Sequence, residues 1–480
     1  MSQLSPRLTH LLRQMAEATS WSQWSELAHE VDQITSATAW RDELDHLAGA
    51  DILDEDVRAF ARLRREGDHN GLAAVLKQSL YRHLGELSNP SLWSVAWLGT
   101  KHVIERYLDA CERAVDWLSS VPLTGAEQAQ RIERFTRARQ GLGQSALMLS
   151  GGATLGFVHL GVVKALHQHR LVPKVLSGSS IGAMVAAGIA NRTDEELDAL
   201  FERETDIARE GVAWLSLRDA RRRGHLLDPE PMLEVVRTNC GEVTFSEAYQ
   251  RSGRILNISV SPTRRHQKAR ILNAVTTPEV LIPEAALASS AIPGLYPPAE
   301  LACRDAEGRT VPYQPGERWI DGTMRGDLPK HRIMRLFNVN QFIVSQTNPH
   351  VLPFFIDPAR ASWLQRAVGF TGSRLLRKPG ARILNVLSQL SAATPIGPAV
   401  AVAHDLVSQD YHGDINIHPR FQPRRMASLM SNPSFAELQD LVLEGERATW
   451  RHIPRIRAQT RIERCLTKAI ETLNAEATAS

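Results

Sequence analysis

Ser180 lies between two glycines, in the segment Gly178-Ser179-Ser180-Ile181-Gly182. The G-x-S-x-G spacing is typical of a nucleophile elbow, a sharp turn that joins a strand to a helix. Glycine is required two residues on either side because no Cβ fits where such a turn doubles back. The spacing therefore predicts that Ser180 presents its hydroxyl as a nucleophile at a helix N-terminus, although a purely structural turn accounts for most isolated matches.

A second glycine-rich turn precedes the elbow, and its sequence is Gly151-Gly152-Ala153-Thr154-Leu155-Gly156. Backbone N–H groups in such a turn can stabilise an oxyanion, and losing one donor of this kind typically costs about 10²- to 10³-fold in rate. A phosphate-binding loop would continue with Lys and then Ser or Thr, but here Phe157 and Val158 follow. We therefore predict an oxyanion hole formed by Gly151, Gly152, Ala153 and Gly156.

A candidate base lies far downstream, where the run Arg318-Trp319-Ile320 ends in Asp321-Gly322-Thr323. A carboxylate at the end of a strand can accept the serine proton, provided that burial raises its pKa toward neutrality. In the alternative Ser-His-Asp arrangement, His331 or His350 would be the base. The residues alone leave both mechanisms open.

The order of glycine loop, G-x-S-x-G and Asp-Gly resembles the patatin-like phospholipases, in which a Ser-Asp dyad replaces the usual triad. The resemblance covers residues 145–348 and includes Ala288-Ser289-Ser290-Ala291-Ile292-Pro293-Gly294-Leu295-Tyr296-Pro297-Pro298, which is similar to the family segment ASxAxPxxFPP. It implies an α/β core with a mainly parallel central sheet flanked by helices. It also implies that Ser180 is the nucleophile and Asp321 the base, with no cofactor and no metal.

Three further segments are similar to the branch of this family that contains fungal and plant triacylglycerol lipases, which carry an extra helical region before the core. They are Gly99-Thr100-Lys101, Gly253-Arg254-Ile255-Leu256-Asn257-Ile258 and Phe337-Asn338-Val339-Asn340-Gln341-Phe342-Ile343-Val344-Ser345-Gln346. The chain departs from the family motif G-G-G-x-[RK]-G at Ala153 and Leu155. It also has Thr323 where Gly or Ala is usual. The absence of an Arg or Lys side chain at position 155 bears on substrate preference more than on catalysis, because the backbone N–H donors of the loop remain.

The first 142 residues indicate an all-helical domain. Apolar residues recur at helical spacing, for example at Ile104, Leu108, Cys111, Val115 and Leu118. Six of the ten tryptophans fall in this region, which permits a membrane-interface interpretation. Trp21, Trp24 and Trp117 lie on the apolar stripes, which favours core packing instead. The six are Trp21, Trp24, Trp40, Trp93, Trp97 and Trp117.

We therefore predict three regions: a helical domain at 1–142, a catalytic core at 145–348 and a mainly helical region at 349–480. Residues 360–382 form a basic amphipathic segment that would either cap the active site or dock on a lipid surface. A second basic cluster, Arg218 to His225, would either face anionic head groups or form a solvated helix end.

Composition sets limits on compartment and partners. The 480 residues carry a formal net charge of +3, and no zinc spacing or RNA-binding motif accompanies it, so no nucleic-acid partner is predicted. Four dispersed cysteines without a C-x-x-C pair indicate a reducing compartment. The N-terminus shows no secretory signal, and no continuous apolar stretch is long enough to span a bilayer. We expect a cytoplasmic protein that contacts a membrane or lipid-droplet surface peripherally.

These observations together predict a serine lipid acyl hydrolase that cleaves carboxylic esters of glycerolipids. Triacylglycerol and phospholipid both remain open as substrates, because patatin-like pockets differ in shape more than in motif. An acyltransferase could use the same serine, and a lipid-surface adaptor could retain the fold without the activity. The joint presence of Ser180, Asp321 and the glycine loop favours the hydrolase.

Overall fold

We describe the chain from a computed structural model. The structure describes residues 5–44, 49–123, 125–203, 206–264, 267–322, 328–348, 412–420 and 422–479. The predicted basic amphipathic segment at 360–382 and the residues Thr323 and His350 lie outside these ranges.

The described residues of the N-terminal region form seven α-helices. They are α1 Pro6–Glu17, α2 Trp21–Ile34, α3 Ala37–Asp42, α4 Ala50–Glu66, α5 His69–Leu87, α6 His102–Ser120 and α7 Gly125–Leu142. Local chemistry sets several of their ends. At the start of α1, the Ser5 hydroxyl accepts a hydrogen bond from the Leu8 N–H, and Pro6 is the first helical residue. At the end of α4, Gly67 adopts a left-handed conformation with a φ of 72°.

Strands and helices alternate in the middle of the chain. The strands are β1 Gln144–Leu149, β2 Val175–Gly178, β3 Ile255–Pro262, β4 Arg270–Leu272, β5 Ala302–Arg304, β6 Thr310–Pro312, β7 Trp319–Asp321, β8 Val339–Ser345 and β9 Ile415–Ile417. The helices are α8 Val158–Gln168, α9 Ile181–Ala190, α10 Asp194–Glu202, α11 Leu217–Arg223, α12 Pro229–Cys240, α13 Phe245–Ser252, α14 Ile282–Ser289 and α15 Lys330–Phe337.

Three α-helices follow β9 in the described part of the chain: α16 Phe435–Trp450, α17 Ile453–Gln459 and α18 Arg461–Ala479. The chain divides into two compact units. The helical unit comprises Met1–Ser145, Met334–Gln341 and Thr449–Ser480, and the sheet unit comprises Ala146–Ile333 and Phe342–Ala448. The last two helices therefore belong to the helical unit, although the sequence grouped them with a separate region at 349–480.

The core of the helical unit combines residues from both ends of the chain. The apolar stripe predicted on α6 is buried, with Ile104, Cys111 and Val115 completely inaccessible. Ile462, Leu466 and Leu473 of α18 lie in the same cluster. Ion pairs add to this packing, since the Arg461 guanidinium lies 2.5 Å from the Asp109 carboxylate.

The tryptophans of the helical unit pack inward. Trp24 is 4% exposed and Trp93 is 9% exposed, and none of the six is exposed on the surface. The Trp93 indole N–H donates to the Leu87 carbonyl at 3.0 Å, so its polar atom is satisfied inside the core. The prediction that these residues anchor a core is confirmed for Trp24 and Trp93, whereas Trp21, Trp40, Trp97 and Trp117 are half-buried.

The central sheet has seven strands among the described residues, six of them in the order β4-β3-β2-β1-β8-β9, while β7 also pairs with β3. β1, β2 and β3 run parallel, as do β8 and β9. β4 and β7 run antiparallel to β3. The chain reverses its direction of winding between β1 and β8, and ligands of α/β sheets bind beyond the carboxyl ends of strands at such a point.

The predicted fold class is confirmed. A mainly parallel sheet flanked by helices forms the core, an all-helical region precedes it and helices follow it. The buried strands β1 and β2 are almost wholly inaccessible, which matches their continuous apolar sequences.

Candidate active site

Ser180 occupies a strained turn between β2 and α9. Its φ of 54° and ψ of −128° lie in a region that residues with a Cβ rarely adopt. The side chain is 8% exposed and lines a cavity in the sheet unit. The strand, turn and helix follow one another as the elbow motif requires.

The glycines on either side of Ser180 have no room for a side chain. A Cβ on Gly178 would lie 2.3 Å from the Gly182 carbonyl oxygen. A Cβ on Gly182 would lie 2.3 Å from the Leu149 carbonyl oxygen at the end of β1. The tight turn thus places the start of α9 directly against the strand that precedes the glycine loop.

Ser289, the last residue of α14, braces this turn. Its hydroxyl accepts a hydrogen bond from the Ser180 backbone N–H at 3.0 Å and donates one to the Ser259 carbonyl of β3 at 2.7 Å. The side chain is completely buried. One hydroxyl therefore ties the strained backbone of the elbow to the neighbouring strand.

The register of β3 determines where Asp321 lies. The pairing of β2 with β3 ends at Gly178, which lies opposite Ile258 of β3. Asp321 of β7 lies opposite Val260 of β3, two residues further along that strand. β4 also pairs with β3, at residues 258–260, which include positions paired with β2 and with β7. Because β4 occupies one edge of β3 there, β2 and β7 must both lie on the other edge. Asp321 thus follows β2 on the same edge, only two residues or about 7 Å along β3 from Gly178.

The surroundings of Asp321 are closed to solvent. Its relative exposure is 0%, and its backbone N–H donates to the Ala291 carbonyl at 3.1 Å. A Cβ on the next residue, Gly322, would lie 2.1 Å from the Ser259 carbonyl oxygen. The backbone at Asp321 is therefore positioned by β3 and by the segment that follows α14.

The glycine loop follows β1 and leads into a 3-10 turn at Ala153–Phe157. Ala153 has a φ of 48° and lines the cavity together with Ser180. A Cβ on Gly152 would lie 2.2 Å from the Thr347 hydroxyl oxygen, and one on Gly156 would lie 2.0 Å from Ile181. The loop is thus packed between the end of β8 and the residue after Ser180.

His159 lies beneath this loop and was not singled out from the sequence. Its Nε2 lies 2.9 Å from the Ser150 carbonyl oxygen, which can only accept, so Nε2 carries the proton. Its Nδ1 then accepts from the Ser345 hydroxyl at 2.7 Å. Burial lowers the pKa of His159 to about 4, which keeps the ring neutral.

A cavity extends from Ser180 along one face of α9. Positions 181, 184, 185, 188, 189 and 192 line it, as expected for a single helix face. The distance from Ser180 to Arg192 along the helix is about 18 Å. The facing residues are mostly apolar, and they include Leu160, Leu200, Ile207, Val212, Met232, Val235, Ile292, Leu429 and Met430.

Arg192 closes the far end of the cavity. Its guanidinium donates to the Asn239 carbonyl at 2.6 Å and to the Gly188 carbonyl. Burial lowers the pKa of Arg192 relative to an exposed arginine. The cavity is therefore lined mainly by apolar side chains, with Ser180 and the Arg192 guanidinium both on its wall.

The alternative histidine bases do not come to this cavity within the described residues. His331 is exposed in α15 and is not among the lining residues, and His350 lies outside the described ranges. No group of three or more His, Cys, Asp or Glu residues in the described part of the chain is placed to hold a metal ion. None of the described helices is both long and apolar enough to cross a membrane.

Ser289 and His159 are the residues near the candidate site that sequence reasoning missed. Ser289 stands inside a quoted motif, but nothing in a serine pair shows which hydroxyl reaches the elbow. His159 carries a weak signal, because it is a polar residue in the apolar run Gly156 to Val163, three residues after the loop.

Comparison with known proteins agrees with this architecture. A family model described as patatin-like phospholipase matches residues 147–331. A second model, described as a domain of unknown function (DUF3336), matches residues 2–140. VipD from Legionella pneumophila, a solved structure, is 13% identical with a TM-score of 0.29 over 69% of this chain and 67% of its own, too low for the likeness to carry an argument.

Curated relatives extend the match over nearly the whole chain. Triacylglycerol lipase ptl3 of Schizosaccharomyces pombe is 31% identical over 94% of this chain and 95% of its own length. Triacylglycerol lipase SDP1L of Arabidopsis thaliana is 30% identical over 96% of this chain, which spans 58% of that relative. Triacylglycerol lipase ptl2 of Schizosaccharomyces pombe is 30% identical over 96% of this chain and 75% of its own. The chain therefore belongs to the patatin-like family of lipid acyl hydrolases, which are carboxylic ester hydrolases, in the branch that carries a DUF3336 domain before the patatin domain.

Proposed function

We infer that the chain hydrolyses carboxylic esters of glycerolipids through a dyad of Ser180 and Asp321. The observation that carries this proposal is the register of β3, which aligns Asp321 with β2 just beyond the elbow. A buried carboxylate and a serine on a strained turn are the two groups that such a reaction requires. Asp321 has no exposed surface, so bulk water does not reach its carboxylate.

In the first half of the reaction, the Ser180 hydroxyl oxygen attacks the ester carbonyl carbon while Asp321 accepts its proton. Backbone N–H groups of Gly152 and Ala153 hold the resulting oxyanion, since the first N–H groups of a helical turn have no partner within it. Gly151 and Gly156 complete the loop. When the tetrahedral intermediate collapses, the C–O bond to glycerol breaks, and the leaving alcohol takes the proton from Asp321.

In the second half, water attacks the acyl carbon bound to Ser180. Asp321 accepts a proton from this water, the bond to the serine oxygen breaks and the proton returns to Ser180. The fatty acid leaves. Each step uses groups of the chain itself.

The cavity along α9 supports a long acyl chain as the group that is transferred. Its apolar lining begins at Ser180, so an acyl chain in the cavity would place its ester carbonyl at the serine. The relatives named triacylglycerol lipases favour a glycerolipid, and triacylglycerol and phospholipid share this acyl ester. Such substrates are insoluble in water, so we place catalysis at a membrane or lipid-droplet surface.

We assign the chemistry to residues 145–348 and a capping or docking role to the region 349–480. An alcohol could replace water in the second step, and the same serine would then transfer the acyl chain. Both reactions share the acyl-enzyme, so product analysis distinguishes them. The position of Asp321 on the edge of β3 that also pairs with β2, the strand that leads into Ser180, argues against a lipid-surface adaptor without activity.

The test combines fluorophosphonate labelling with release of fatty acid from triolein and from phosphatidylcholine. We expect wild type to label and to release fatty acid, and we expect Ser180→Ala to do neither. Asp321→Asn should lower the rate by at least about 10³-fold. Ser246→Ala in α13 and Asp305→Asn on the β5–β6 hairpin are matched controls. Full activity of Asp321→Asn would contradict the dyad, and an esterified product in place of fatty acid would identify a transferase.

A further inference from the structure

A hairpin with a helical tip projects from the sheet unit at residues 213–228. The Leu215 N–H donates to the Leu226 carbonyl at 2.9 Å, and the Asp228 N–H donates to the Ala213 carbonyl at 2.9 Å. Between these two hydrogen bonds, Trp214 and Leu227 form an antiparallel β-bridge. The two arms are therefore closed by backbone hydrogen bonds, and α11 forms the tip. We call these residues the 213–228 hairpin.

The base of the 213–228 hairpin is fixed to the segment that follows α14. The Leu227 N–H donates to the Leu295 carbonyl at 2.9 Å. The Leu227 side chain is 0% exposed and packs in one cluster with Ala291 and Tyr296. Because the base is buried and hydrogen bonded, the orientation of the tip is set by the fold.

Apolar side chains at the tip nevertheless face solvent. Leu217 is 89% exposed, the largest value for a large hydrophobic residue in the described ranges, while Trp214 is 58% exposed and Leu226 is 40% exposed. A single exposed leucine needs no explanation, but three large apolar residues on one rigid projection do. Indole rings are favoured at the boundary between water and lipid.

Arginines surround this apolar group. On a helix with about 100° per residue, Leu217 and Arg221 lie on one face with Arg218 and Arg222 beside them. Leu217, Arg218, Arg221 and Arg222 are all exposed, whereas Ala220 is buried, so this face points outward. The 213–228 hairpin carries four arginines against two aspartates. Apolar residues surrounded by arginines are complementary to a lipid surface with negative head groups.

The 213–228 hairpin also adjoins the cavity that contains Ser180. Val212, two residues before Trp214, lines the cavity. The Trp214 indole N–H donates to the carbonyl of Met430, another lining residue, at 3.3 Å. A lipid surface bound at the tip would therefore lie close to residues that line this cavity.

We propose that the 213–228 hairpin docks the enzyme on an anionic phospholipid surface. Trp214, Leu217 and Leu226 enter the boundary between head groups and acyl chains, and Arg218 and Arg221 bind the head groups, while Arg222 is paired with Asp219 at 2.8 Å. The proposal goes beyond the hydrolysis reaction and does not require that reaction, because docking can be measured with the Ser180→Ala chain.

The experiment is co-sedimentation of the full-length Ser180→Ala chain with vesicles. One set is pure phosphatidylcholine, and the other contains phosphatidylserine as well. We expect tighter binding to the phosphatidylserine vesicles, with a loss of binding as salt increases. Leu217→Asp should weaken binding at least about tenfold. Arg218→Glu combined with Arg221→Glu should remove the preference for phosphatidylserine.

Matched controls come from elsewhere in the sheet unit. Val275 is 65% exposed, and we expect Val275→Asp to bind as the parent does. Lys268→Glu combined with Arg309→Glu repeats the charge reversal away from the hairpin. Fluorophosphonate labelling of Leu217→Asp with Ser180 intact reports folding of the active site separately from docking.

Three outcomes would overturn the proposal. The first is vesicle binding by Leu217→Asp that equals that of the parent. The second is a loss of vesicle binding in Val275→Asp as large as that in Leu217→Asp. The third is an absence of vesicle binding by the parent chain itself. Selective capture of nucleic acid or of a protein through the same arginines, without vesicle binding, would assign the surface to another partner. None of these results would bear on whether Ser180 labels and releases fatty acid.

Discussion

The backbone of Ser180 is held by a neighbouring side chain. The buried Ser289 hydroxyl bonds both the Ser180 N–H and the Ser259 carbonyl, and no other residue type of the same size offers a donor and an acceptor there. A strained φ of 54° persists only where the surroundings over-determine it. Ser289 is therefore a positioning residue for the elbow.

We expect Ser289→Ala to lower both kcat and stability. The substitution leaves the Ser180 N–H and the Ser259 carbonyl without this partner in a buried place, at a cost of about 1–3 kcal/mol. Steady-state hydrolysis of a soluble ester and thermal unfolding measure the two effects. Ser246→Ala in α13 is the control. Wild-type kcat in Ser289→Ala would show that the elbow keeps its geometry without the brace.

His159 makes stability depend on pH. Its pKa is lowered from 6.5 to about 4 by burial, so the unfolded chain binds more protons between these values. Stability must then fall as pH falls through this window, by at most about 3 kcal/mol. We expect His159→Gln, which cannot titrate, to show a shallower decline of urea midpoint between pH 7 and pH 4. Equal slopes for both proteins would contradict a neutral buried His159.

At the scale of elements, α9 has two roles. Its N-terminus carries Ser180, and one of its faces forms a wall of the apolar cavity. Gly188 lies on this wall, and a Cβ there would meet its nearest neighbours only at 3.4 and 3.6 Å. Gly182 on the same helix has no such space. The two glycines of α9 therefore serve different purposes, close packing at Gly182 and open cavity at Gly188.

We expect Gly188→Leu to shift selectivity toward shorter acyl chains. The added side chain would fill the cavity between Ser180 and Arg192, so the ratio of long-chain to short-chain ester hydrolysis should fall at least about tenfold. A series of monoesters of increasing chain length measures this ratio. Gly188→Ala is the matched control, with a helix stabilised by up to about 1 kcal/mol. An unchanged ratio in Gly188→Leu would place the acyl chain elsewhere.

At the scale of the whole molecule, the two ends of the chain fold together. α18 contributes buried Leu466 and Leu473 to the core formed by α4 to α7. The Ser145 N–H, just before the sheet unit begins, donates to the Glu463 carboxylate at 3.0 Å. The helical unit is thus built from segments that are far apart in the sequence.

We expect Leu466→Ala to destabilise the helical unit by about 2–5 kcal/mol, the usual cost of a large-to-small change in a core. Glu471→Ala, exposed on the same helix, should change stability by less than about 0.5 kcal/mol. Urea unfolding followed by circular dichroism measures both. Equal stabilities would show that α18 is not part of this core.

Local features of the candidate site could be predicted from sequence. Gly178, Gly182 and the glycine loop were identified because a turn that excludes a Cβ requires glycine at particular positions, whatever surrounds it. Hydrophobic periodicity predicted the strands and helices around them and the N-terminal helices, because the spacing of apolar residues within one element reflects which face of it is buried. Each of these signals lies within a few residues of the feature that it predicts.

Only the tertiary structure decided which distant residues meet. Asp321 reaches the end of β2 through the register of β3, about 140 residues after Ser180, and Ser289 does so through the packing of α14. The exposure of Leu217 and the place of α18 in the helical unit also depend on packing. Strand register and helix packing are set by many weak contacts between distant segments, so no local pattern encodes them.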